Sequence, residues 1–252
     1  MLWLAFSEWY SPRNILGNVG VSILHIAVLA LVQGITEFLP ISSQGHLLLT
    51  DQVLTSLHLI GGPLPPPAQL MLSVAVHVGT LGAVVLYFWR DLWMMLDGMV
   101  RTIRRRKDRS GARLAAYIAV ATIPVVIVGY LAHVYGPWGL RGLMVIGWAT
   151  LGFGIVLYVT DRLGMTVRRV EHMTFLDAVI IGCAQVLALI PGTSRSGITM
   201  SAARRLGMER ADAARFSMLL SIPTVVAAGV LEGLALWRTG DARLTVDAEI
   251  AA

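Results

Sequence analysis

The chain has 252 residues, of which 56% are hydrophobic and only 14% charged, with a mean hydropathy of +0.71. Those values exclude an ordinary soluble globular domain, whose residue usage is far less apolar. The formal net charge of +5 is not laid out as a basic groove with interleaved aromatic residues, which excludes a nucleic-acid partner as well.

In chain order, the opening MLWLAFSEWYSPRN has an early glutamate, no basic lead and no small-residue cleavage site. It reads as an interfacial or partly inserted lead-in rather than a removable signal. QGITEFLPISSQGH, residues 33–46, comes next inside an apolar region, yet carries Glu37, His46, two serines, two glutamines and Pro40. Residues 68–89, 114–135 and 142–160 are windows without Lys, Arg, Asp or Glu, long enough to cross a hydrocarbon core of roughly 30 Å. Residues 90–113 hold eight Lys/Arg against three Asp, a cytoplasmic linker by the positive-inside rule, with anionic membrane lipid as its neighbour. Residues 161–172 carry three arginines and belong on the same side. Residues 175–201 should then run outward, but they end at an arginine-rich stretch that also prefers the cytoplasm. A re-entrant hairpin broken at LIPGTSRSG resolves the conflict, because non-helical backbone at membrane depth is tolerated where protein or a water-filled cavity covers it. Residues 216–237 form the last span. Cys183, the only cysteine, excludes an internal disulfide and a thiolate metal site and reads as core filler. Seven Trp and six Tyr, several near span ends, read as an interfacial belt.

LALVQGITEFLPISSQGHLLL and AQVLALIPGTSRSGITMS share one grammar: an apolar arm, a proline, a serine-rich turn and a second arm. Laid together they pair Pro40 with Pro191 and Ser43 with Ser194, and downstream residues 72–90 lie over 220–238. Three spans separate the hairpins, an odd number, so the second enters from the opposite face and the repeat is inverted in topology. The expected fold is a single all-α polytopic membrane domain over residues 1–252, with two re-entrant helical hairpins meeting near the bilayer midplane. The first repeat covers about 22–160 and the second about 172–252. The symmetry asks for two more spans than the second repeat holds, so C-terminal spans are expected to be missing.

Broken helices at matching places in inverted halves point to a midplane site. SSQGH and TSRSG both look like helix starts, where free N–H groups favour a phosphate. Arg195 between two serines adds a fork-shaped donor suited to a pyrophosphate. Taken singly, Ser42 and Ser196 read as simple caps. Ionisable residues inside a membrane usually mark function. Glu37 lies four residues after Gln33 on one helix face and suits a hard divalent cation, Mg²⁺ first and Ca²⁺ second, completed by water and substrate oxygens. His46 falls three residues after Ser43, beside its hydroxyl on a helix. His77 reads as bonded to a backbone carbonyl, and His25, Asp177 and Glu232 receive no role.

These motifs resemble the two signature regions of bacterial undecaprenyl pyrophosphate phosphatase, the bacitracin-resistance family. The resemblance extends through VAVHVGTLGAVVLYFWRDL and MTFLDAVIIGCAQ, covering about residues 22–238. It implies an inner-membrane hydrolase, with its site open to the periplasm, that converts undecaprenyl diphosphate to undecaprenyl phosphate and orthophosphate. That recycles the lipid carrier for peptidoglycan and confers bacitracin resistance. By motif position Glu37, Ser43, His46 and Arg195 are catalytic, and Ser42, Gln44, Ser194 and Ser196 contact phosphate. Gln33, grouped with the substrate contacts, departs from many members, which have a glutamate there. The partners implied are a polyprenyl diphosphate lipid and membrane lipids, with a homodimer as the assembly to consider. Ser43 assisted by His46 is the favoured nucleophile; attack by His46 or by a His46-activated water fits the same spacing. A transporter or flippase for a lipid phosphate or anion, and a lipid-binding protein without catalysis, are the competing classes.

Overall fold

The computed structural model describes residues 23–57, 66–104, 110–135, 142–164 and 167–239. Among these residues the chain forms nine α-helices and no β-strand. In order they are α1 (Ile23–Phe38), α2 (Ser43–Ser56), α3 (Pro66–Tyr87), α4 (Trp89–Ile103), α5 (Ser110–Tyr135), α6 (Leu143–Leu163), α7 (Phe175–Val186), α8 (Arg195–Arg205) and α9 (Arg210–Thr239). Three stretches are long and apolar enough to cross a membrane: Ser110–Ala132, Leu143–Leu163 and Arg210–Leu231. Their large apolar side chains are widely exposed, as at Trp148, Ile127 and Val230, which is the surface an integral membrane protein turns to lipid.

Local chemistry sets the helix ends. α1 runs through apolar residues until Pro40, whose ring cannot continue the ladder. Ser42 then caps α2 by accepting from the Gly45 amide at 3.3 Å. α7 starts from a capping box, in which Asp177 N–H donates to Thr174 Oγ1 and Thr174 N–H donates to Asp177 Oδ2. After α7 a short 3₁₀ turn, Leu187–Leu189, leads to Pro191 and Gly192, and Ser194 caps α8 by accepting from Gly197 N–H at 3.1 Å. Gly192 has φ +93°, and a methyl group there would stand 2.4 Å from the Ile146 carbonyl oxygen of α6. The turn can press against α6 only because that position has no side chain.

The larger core lies between α5, α7 and α9, with Ala121, Ile181, Phe216 and Leu220 fully enclosed. Gly182 lets α7 approach α5 backbone to backbone, since a methyl there would meet the Ala121 carbonyl at 2.5 Å. A smaller cluster of Leu29, Leu72 and Val76 joins α1 to α3. Arg204, buried at the end of α8, donates to Asp161 Oδ1 and to the Asp161 and Gly164 carbonyls, tying α8 to α6. Asp177 also pairs with Arg168 at 2.6 Å, and buried His25 of α1 meets Asp51 of α2 at 2.9 Å.

Three sequence expectations change. Much of the 90–113 linker is helix, α4, clamped to α9 by the Arg215–Asp91 ion pair; its alternation of charged and apolar residues hides the helix from a reading that looks for uncharged spans. Cys183 is exposed on the outer face of α7 rather than filling the core, because Ile181 and Gly182 take the inward face. The structural register of the two hairpins pairs Ser42 with Ser194 as caps, and therefore Ser43 with Arg195, since the second turn is one residue longer after its proline. The N-terminal lead-in, the Glu232 side chain and the residues after 239 lie outside what is described.

Candidate active site

α1–α2 and α7–α8 bring their breaks together. Ser196 Oγ donates to the Leu39 carbonyl of the first hairpin at 3.2 Å and lies 3.1 Å from Ser194 Oγ. Gly197 comes so close to Pro40 that a methyl group there would stand 3.3 Å from its carbonyl oxygen. A cavity of about 270 Å³ opens at this junction. Glu37, Ser42, Ser43 and Gln44 line it from the first hairpin, and Ser194, Arg195 and Ser196 from the second.

Glu37 is the hub. Its Oε1 accepts from Arg195 Nη2 at 2.5 Å, a contact between residues far apart in sequence. Its Oε2 accepts from Ser43 Oγ at 3.1 Å and from Gln33 Nε2 at 3.0 Å. Arg195 and Ser43 are each the first residue of their helix, so two helix starts converge on one carboxylate. The guanidinium offsets the carboxylate charge in a site largely shielded from water. The Ser43 hydroxyl is meanwhile aligned on a base.

The remaining expected residues divide. Ser42 is the α2 cap, as its simple reading held, and Ser196 instead bridges the hairpins. Gln33 is fully buried and donates to Glu37, so at this position an amide donor stands where a second carboxylate would have repelled. His46 is not brought onto Ser43. Its Nδ1 faces the Ser42 carbonyl at 2.7 Å, and it is not among the residues lining the cavity. On a helix, residues three apart are neighbours only if their rotamers cooperate, and here the carbonyl one turn back captures the imidazole.

Sequence reasoning undervalued three cavity residues. His77 does bond a backbone carbonyl, Ser73 O at 2.7 Å through Nδ1, but its Nε2 lies 3.8 Å from Glu37 Oε2. Gln185 and Thr193 line the same cavity. The available signal was a polar residue inside an apolar segment, which applied to all three.

For a divalent cation the fit rests on oxygen. Glu37 is the carboxylate that lines the cavity, and hard cations take such oxygens; Gln33 Oε1 has no hydrogen-bond partner, but Gln33 is fully buried and is not among the lining residues. Among the described residues no group of three or more His, Cys, Asp or Glu comes together, so the other ligand positions would fall to water and substrate.

Comparison with known proteins gives the family. The family described as bacitracin resistance protein BacA matches residues 26–251. Undecaprenyl-diphosphatase 1 of Rhodospirillum rubrum is 53% identical over 236 residues, 91% of this chain and 80% of that protein. The undecaprenyl-diphosphatase of Ruegeria pomeroyi is 50% identical over 233 residues, 92% of this chain and 84% of that protein. That of Hahella chejuensis is 46% identical over 217 residues, 86% of this chain and 78% of that protein. With the match running through both broken hairpins, the chain belongs to the bacitracin resistance protein BacA family.

Proposed function

We propose that this chain is a membrane phosphatase that hydrolyses undecaprenyl diphosphate to undecaprenyl phosphate and orthophosphate, as the names of its relatives indicate for them. The observation that carries the reading is the convergence of Ser43 and Arg195, from opposite hairpins, on Glu37 inside one cavity. In the bilayer the two hairpins are re-entrant arms of an inverted repeat meeting near the midplane. The site opens to the periplasmic side of the inner membrane.

The chemistry rests on the donors and acceptors. Arg195 and the N–H groups at the starts of α2 and α8 neutralise the phosphoryl oxygens. Ser43 Oγ attacks the terminal phosphorus as its proton passes to Glu37 Oε2; the P–O bond to the bridging oxygen breaks and undecaprenyl phosphate leaves with the electron pair. Water then cleaves the phosphoserine, giving orthophosphate and restoring the Ser43 hydroxyl. Ser194, Ser196, Ser42 and Gln44 orient the head group. His46 holds the turn that presents Ser43, through its bond to the Ser42 carbonyl. A divalent cation, Mg²⁺ or Ca²⁺, would be held by Glu37 with water and substrate oxygens and would supply charge neutralisation at the phosphoryl group.

Purified protein with Mg²⁺ should release orthophosphate from farnesyl diphosphate. No release, together with flux of the lipid phosphate in sealed vesicles, would replace hydrolysis by transport. Near-normal turnover by Ser43→Ala would remove serine as the nucleophile, and phosphate trapped on His46 would replace it.

A further inference from the structure

One wall of the cavity holds buried polar groups that the protein leaves unsatisfied. Gln185 of α7 is fully buried and lines the cavity. The Thr224 hydroxyl of α9, which donates to the Leu220 carbonyl at 2.9 Å, stands 3.5 Å from Gln185 Oε1, and Gln185 Nε2 has no partner among the described residues. Thr193 Oγ1 is also unpartnered, in a residue only 8% exposed, and so is Arg195 Nη1, whose sister nitrogen holds Glu37. All three residues line the same space. A buried donor without an acceptor is costly, so three around one cavity call for a ligand. Each of the three can donate, and one is cationic. The complement is a cluster of anionic oxygens.

The repeat explains why these donors are spare. Gln33 and Gln185 each stand nine residues before the serine that caps the next helix. In the first hairpin Gln33 Nε2 is taken by Glu37, one turn on. At the equivalent place in the second hairpin the residue is Leu189, which has no side-chain acceptor. The Gln185 amide, in a residue that lines the cavity, is therefore left without a partner among the described residues.

We infer that Gln185, Thr193 and Arg195 Nη1 form a second phosphoryl subsite, distinct from the reactive one at Ser43 and Glu37. It takes a phosphoryl group that Ser43 is not attacking: the lipid-side phosphoryl of the substrate, or orthophosphate. The inference rests on the proposed diphosphate hydrolysis and explains how the site would prefer a diphosphate, because a monophosphate fills only one of two subsites.

The test uses the full-length protein in detergent with two near-isosteric substitutions, Gln185→Leu and Thr193→Val, each checked for a monodisperse, folded species. The KM for farnesyl diphosphate should rise about tenfold in each, the loss of one hydrogen bond to a charged group, with a smaller change in kcat. Protection against thermal unfolding by the methylene-bridged, non-hydrolysable farnesyl diphosphonate should weaken in parallel. Weaker inhibition by orthophosphate in the variants assigns the subsite to free phosphate. Unchanged orthophosphate inhibition with a narrowed preference for farnesyl diphosphate over farnesyl phosphate assigns it to the lipid-side group. Unchanged KM, analogue binding and inhibition in folded variants of an active enzyme would overturn the subsite and leave the hydrolase reading intact. A wild-type protein that releases no orthophosphate but binds the diphosphonate through Gln185 would overturn the hydrolase reading and keep the subsite.

Discussion

In the first hairpin Ser42 caps α2 and in the second Ser194 caps α8, each accepting from a glycine amide three residues on. The turns that deliver them differ by one residue, and that residue is Gly192, pressed against α6 with a positive φ and its carbonyl held by Thr150 Oγ1 at 3.0 Å. The insertion brings different side chains to the two helix starts. The first helix begins with a hydroxyl, Ser43, and the second with a guanidinium, Arg195, and both donate to the one carboxylate, Glu37, that only the first hairpin has. Two arms with one shared sequence pattern thus bring different groups to one cavity. The first carries a hydroxyl and a carboxylate, and the second carries a guanidinium and donors without partners among the described residues.

The comparison can be broken most severely at its shared hub. Glu37→Gln keeps the shape but removes the acceptor for the Ser43 proton and the partner of Arg195. Orthophosphate release should fall by about a thousandfold or more, measured on protein whose folding is confirmed by size exclusion. Next comes the charge of the second arm: Arg195→Lys keeps a cation but not the fork that reaches Glu37 and the cavity together. The expected loss in kcat/KM is about a hundredfold, and recovery of wild-type rates by lysine would show that only charge matters.

Two smaller changes separate the turns. Gly192→Ala forces a side chain into left-handed backbone and against the Ile146 carbonyl, at about 2–3 kcal/mol. Gly45→Ala in the first hairpin meets its nearest atom at 3.4 Å, in helical backbone, and should change stability by less than about 1 kcal/mol. Thermal unfolding in detergent reads the difference directly, and equal midpoints would mean that Gly192 is not under that constraint. The cap itself has a comparably small effect. Ser194→Ala should cost about 1 kcal/mol and lower the unfolding midpoint only slightly.

Much of the molecule was legible in the chain, because membrane insertion and helix breaking are local matters. Apolar windows, arginine-bearing linkers and the two proline-serine motifs are read within a few residues, and Glu37, Ser43 and Arg195 stand out as polar groups where polarity is costly. α4 escaped because a charged amphipathic helix resembles a linker when only uncharged runs are sought. His46 and Ser43 were paired by spacing, but rotamers and the Ser42 carbonyl turn the imidazole elsewhere. His77 was discounted because half of its hydrogen bonding is indeed structural.

By itself, then, the sequence determined a helical membrane protein, a repeated broken hairpin and the polar residues that stand at its breaks, since each depends on local composition and spacing. Only the tertiary structure decided which of those residues meet. The register of the hairpins depends on one glycine packed against a distant helix. Arg195 reaches Glu37 only across the junction between the halves. Gln185 is spare because Leu189, and no carboxylate, stands a turn away, and it becomes visible only when every buried donor has been matched to an acceptor.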